Sequence, residues 1–129
     1  MALLSHFPPS RVYGTAYVPS EDEVTKPVKV ELARGDLTGR QMDIIVNIFE
    51  VPPGATVPRH IHPGEEVVYV LEGGTLEQPD GKLLTFETGT AIIYARDIPH
   101  AGAKNVSEKP LKMLNVFVVD KGKPMTVLV

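Results

Sequence analysis

The chain has 129 residues, 43% of them hydrophobic and 22% charged, which is the make-up of one globular domain able to bury a core. Its 13 Lys and Arg against 16 Asp and Glu give a formal charge of −3 with no basic cluster, so no nucleic-acid partner is expected. With no cysteine, disulfides, thiolate ligands and cysteine nucleophiles are excluded.

The first residues, MALLSHFPPS, carry no positive charge ahead of a short apolar stretch and lack the core of a signal peptide. No apolar run approaches the ~20 residues that a membrane helix needs. A cytoplasmic protein with no membrane partner is therefore expected. Residues 1–27 are polar and proline-rich and read as an N-terminal arm, in which His6 is incidental.

Prolines and glycines cut the chain into short pieces rich in Val, Ile, Tyr and Phe, the composition of strands. In order these are VYGTAYV (12–18), VKVELA (28–33), MDIIVNIFEV (42–51), EVVYVLE (66–72), LLTFE (83–87), AIIYA (91–95) and KMLNVFVV (112–119). The connections PPG (52–54), PG (63–64), GG (73–74) and PDG (79–81) read as turns. No apolar i, i+3, i+4, i+7 pattern persists, so few or no helices are expected. Many short strands with frequent turns predict an all-β sandwich or barrel.

Within RHIHPGEEVVYVLEGG (59–74), strand alternation puts His60 and His62 on one face and Arg59 and Ile61 on the other. Only one of Glu65 and Glu66 can share the histidines' face, and the apolar residues that follow occupy both parities. A third histidine, His100, lies in the turn RDIPHAG, behind Pro99. Three imidazoles and a carboxylate make a nitrogen-and-oxygen set suited to one divalent Fe, Mn, Ni, Zn or Cu ion.

GATVPRHIHPGEEVVYVLEGG resembles the first motif of the cupin superfamily, G-x5-HxH-x3-E-x6-G, with Gly54, His60, His62, Glu66 and Gly73 in place. The second motif is matched in part, by Gly89 and His100. Ala95 and Asp97 stand near its proline and glycine, so a different path is expected for the loop before His100. Asn105 falls one position late, so the structural role of the motif's asparagine is not expected of it. The resemblance spans about 38–120 and selects Glu66 over Glu65. It implies a double-stranded β-helix, or jelly-roll, barrel holding a metal on His60, His62, Glu66 and His100, and small members are usually homodimers.

Of the remaining residues, Tyr69, Tyr94, Phe49, Phe117, Met42 and Met113 are candidates to line a ligand pocket. Asn47 and Asn115 are polar residues in apolar strands and need partners. Arg59 is expected to face outward and Glu65 to be a rim charge, while Arg96, in the mouth loop, is a candidate to steer an anion. The function expected is a metal-dependent enzyme, dioxygenase-like, acting on a small organic substrate. The other reading is a non-catalytic module that binds a small molecule or a metal.

Overall fold

A computed structural model describes residues 26–129. The expected strand 12–18 and nearly all of the expected arm lie outside them. Eleven strands run in order: β1 (Val28–Asp36), β2 (Met42–Val51), β3 (Thr56–Val57), β4 (His60–Ile61), β5 (Gly64–Glu72), β6 (Gly74–Glu77), β7 (Leu83–Phe86), β8 (Ala91–Tyr94), β9 (Ala103–Asn105), β10 (Leu111–Asp120) and β11 (Val127–Leu128). No helix occurs among the described residues, so none there is long and apolar enough to cross a membrane. Six strands fall where composition predicts them. The short pieces β3, β4, β6, β9 and β11 do not, because two to four residues carry too little pattern to be read.

All pairings are antiparallel. One sheet has the order β1-β2-β10-β5-β8, a second β3-β9-β6-β7, and β4 pairs with β11. β10 alternates strictly: Leu111, Met113, Asn115, Phe117 and Val119 are buried and their neighbours are not. Register then stacks inward residues into rows across the first sheet. One row is Ile45, Phe117, Glu66 and Tyr94, and the next is Asn47, Asn115, Val68 and Ile92. Val51, Val57, Val68, Val70, Leu76, Leu111 and Met113 form the main core cluster, while Ile45, Phe117 and Val119 form a smaller one. The result is the all-β double-stranded β-helix expected.

Gly64, predicted as half of a turn, is instead the buried first residue of β5. A Cβ there would stand 1.9 Å from the carbonyl oxygen of Val118, so only glycine lets β5 approach β10 this closely. Gly74, read as part of a turn, opens β6.

Asn105 corrects the sequence reading. It is 1% exposed, its Nδ2 donates to the carbonyls of Val51 (2.8 Å) and Lys109 (3.1 Å), and its Oδ1 accepts from the Ser107 amide (2.8 Å). One side chain thus satisfies three backbone groups at the end of β9, tying it to the end of β2 and to the loop before β10. The displacement by one position did not remove its structural role.

Candidate metal centre

His60 and His62 leave β4 on one face, and Glu66 enters on the inward parity of β5 with Val68 and Val70, while Glu65 points to solvent. His100 comes from the loop after β8. Mutual backbone hydrogen bonds between His60 and His100 (3.1 and 3.0 Å) fasten that loop to the histidine strand. Asp97 and Ala101 flank His100 with φ of 58° and 63°. Asp tolerates that left-handed geometry where the motif carries glycine, and the Asp97 amide donates to the His62 carbonyl at 3.1 Å.

The four side chains converge. One ligand atom from each of His60, His62, Glu66 and His100 lies within 4.8 Å of the other three. The imidazole centroids are 4.5 to 5.0 Å apart. Each ring is oriented by the backbone: Nδ1 of His60 donates to the Pro58 carbonyl (2.6 Å), Nδ1 of His62 to Met125 (2.6 Å) and Nδ1 of His100 to Ile98 (2.9 Å). A carbonyl only accepts, so the proton of each neutral ring sits on Nδ1 and the lone pair of each Nε2 faces the common centre.

Glu66 Oε2 lies 3.0 Å from His100 Nε2 and 3.2 Å from His62 Nε2, and His62 Nε2 is buried without a hydrogen-bond partner. Burial pushes the Glu66 carboxyl up, but the imidazoles of His100 and His62 outweigh it and hold the group down to about 2. Burial lowers His100, yet its contact with Glu66 raises it on balance, whereas burial leaves His60 lowered. An orphaned buried nitrogen, three converging lone pairs and an ionised carboxylate fit a divalent transition ion held by these four residues.

The cluster opens on a cavity of about 310 Å³ between the two large sheets, at the small end of the range for small-molecule sites. Four of the six candidate pocket residues line it: Phe49, Tyr94, Met113 and Phe117. Tyr69 points outward from β5, and Met42 lies outside the lining. Tyr94 stacks on His100 at 4.2 Å and 9°, and Phe117 meets His62 edge-on at 4.9 Å. Burial and then the Glu66 charge raise the Tyr94 phenol, which stays protonated at neutral pH. Asn47 and Asn115, opposite each other across β2 and β10, are buried, and Asn115 lines the cavity.

Arg96 does not serve the role considered for it. Its guanidinium makes two 2.8 Å bonds to the carboxylate of Asp120 and is committed there. Arg59 is exposed, as alternation requires.

Sequence reasoning missed the clamp at the C-terminal end. β11 pairs with β4 through Val127–Ile61 and Leu128–His60, and the Met125 carbonyl fixes His62. Deleting residues 125–129 is expected to lower metal affinity by about 10- to 100-fold, read by competition with a chelating dye. Unchanged affinity would show that this carbonyl does not orient the ring.

Fold and site together define a small β-barrel protein with a three-histidine, one-carboxylate cluster facing an internal cavity. The family model described as "Cupin domain" matches residues 47–117, more than half of the chain. This protein belongs to the cupin family.

No curated protein matches the chain. Among solved structures it is similar to the polyketide cyclase RemF from Streptomyces resistomycificus, with 28% identity and a TM-score of 0.59 over 80% of this chain and 72% of that one. An uncharacterised protein with a double-stranded β-helix domain from Klebsiella pneumoniae is 19% identical (TM-score 0.59, covering 89% and 98%). The DMSP lyase DddQ from Ruegeria pomeroyi is 18% identical (TM-score 0.61, covering 86% and 55%). These last two likenesses concern the fold alone.

Proposed function

We propose that this cupin is a metal-dependent enzyme that converts a small organic molecule in its barrel cavity, by a reaction of the dioxygenase type. The observation carrying the proposal is the set of three inward Nε2 atoms and one carboxylate oxygen within 4.8 Å of one another, beside an internal cavity. A divalent transition ion bound by His60, His62, Glu66 and His100 supplies Lewis acidity and open positions for a reactant.

The chain's own residues supply the rest. Carbonyls of Pro58, Ile98 and Met125 keep the three rings in one tautomer and orientation. Tyr94 restrains His100 by stacking, and its protonated phenol is a hydrogen-bond donor in the cavity wall. Val57, Leu84 and Phe86 on the second sheet keep water off the bound molecule.

The likeness to a polyketide cyclase, 28% identical over 80% of this chain, favours one second reading: ring closure of a substrate with several carbonyls, which consumes no oxygen. Both are tested on protein loaded in turn with Fe, Mn, Ni, Zn and Cu, using diketone, thiol and phenolic substrates at an oxygen electrode. The expected result is oxygen uptake that His100→Ala abolishes while the far-ultraviolet spectrum is kept. Turnover of a poly-carbonyl substrate without oxygen would replace the dioxygenase reading by the cyclase one. Binding without any turnover would make the protein a non-catalytic module.

A further inference from the structure

Lys29 reaches the same cavity from the edge of the barrel. β1 pairs with β2 in a register that sets Lys29 opposite Phe49, and directly paired residues share a face of the sheet. Phe49 lines the cavity, so Lys29, itself exposed on the edge strand, lies on the face that the cavity opens from. Its Nζ stands 5.8 Å from the centroid of the Phe49 ring and 5.9 Å from that of Phe117, both part of the cavity wall. The Phe117 ring in turn touches His62. Lys29 is the one Lys or Arg that lines the cavity among the described residues, and among them no carboxylate pairs with it.

A second observation also points to a polar ligand. Asn115 is 2% exposed and lines the cavity, yet its Oδ1 has no hydrogen-bond partner, and Oγ1 of Thr126, another lining residue, is also orphaned. Buried polar atoms in a finished protein are satisfied, by protein, by water or by a ligand. Between these polar points the wall is apolar, with Val57, Leu84, Phe86 and Met113. The cavity therefore presents a cation near its edge, an apolar middle, and the four-residue cluster.

We propose that the molecule taken by this cavity is a small organic anion with an apolar body, whose carboxylate is held by Lys29 while the rest of it faces the histidine cluster. The proposal rests on reading the cavity as the substrate site, and it adds the class of substrate. The bland alternative is a lysine that covers two rings with its stem and keeps its charge in water. The two differ in what Lys29 does to a charged ligand and not to a neutral one.

The test uses the full chain loaded with zinc and a matched pair of probes, phenylacetate and phenylacetamide, titrated by calorimetry. Phenylacetate is expected to bind at least about tenfold more tightly, as a charge-assisted hydrogen bond provides. Lys29→Gln is expected to erase that preference while leaving zinc content and phenylacetamide affinity unchanged. Equal affinities in the unaltered protein, binding of neither probe, or a preference that survives Lys29→Gln would each overturn the proposal. The surviving preference would mean that the anion sits on the metal. If no zinc is retained, the reading of the cluster fails, and the same pair titrated into metal-free protein still decides the role of Lys29.

Discussion

Replacing Glu66 by glutamine is expected to lower the affinity of the cluster for a divalent transition metal by at least about 100-fold, since outer-shell changes alone reach that range. The substitution keeps the shape of the side chain and removes the only charge offered by the four residues when the imidazoles are neutral. Dye competition on the folded variant measures it. Affinity within about tenfold of the unaltered protein would remove Glu66 from the set.

The same variant carries a signature in acid. In the metal-free protein the Glu66 carboxyl titrates at about 2 against an ordinary 4.5, so its folded value is depressed. A depressed carboxyl contributes stability that is present above 4.5 and is lost as pH falls from there toward 2. Glu66→Gln lacks that loss, and its stability curve should be flatter between pH 4.5 and 2. Metal binding has a separate dependence on pH. His100 is held toward its charged form by Glu66, and a ligand must be neutral, so affinity should fall as pH drops through the raised His100 value.

Gly64→Ala is the second large effect expected, a loss of at least about 3 kcal/mol in unfolding free energy together with loss of metal. The added methyl would lie 1.9 Å from the Val118 oxygen and 2.7 Å from the Val119 Cα, and backbone atoms cannot rotate away as a side chain would. β5 must therefore part from β10 at its first residue. Gly64 stands between His62 and Glu66, so the shift that relieves the clash also separates two of the four candidate ligands. Denaturant titration and elemental analysis read the two consequences. An alanine variant as stable as the parent, with its metal in place, would mean that the strands tolerate a wider spacing here.

Much of this barrel could be read from its sequence. Runs rich in Val, Ile, Tyr and Phe announced β2, β5 and β10, and the HxH pair announced a face with two imidazoles. The choice of Glu66 over Glu65 did not come from alternation, because Val67, Val68, Val70 and Leu71 leave both parities apolar; it came from motif spacing. In the structure Val68 and Val70 go inward and Val67 less so, since the second sheet covers only one face of β5. Asn105 shows the opposite case: counting positions argued against it, yet a buried amide needs only three backbone groups within reach.

What the sequence by itself determined was the place of six strands, the family motif and the identity of the four converging side chains. Their residue types, and the close spacing of His60, His62 and Glu66, are local properties, and local properties are written in the chain. Only the tertiary structure decided how those side chains are held and what else faces them. The carbonyls that orient the three rings belong to Pro58, Ile98 and Met125, and any residue could supply a carbonyl there, so no letter of the sequence marks them. Lys29 comes to the cavity through the register of β1 on β2, and the commitment of Arg96 to Asp120 joins a loop to a strand 24 residues away. Those relations depend on which strand edges meet in space, and that is settled only when the two sheets close around a common core.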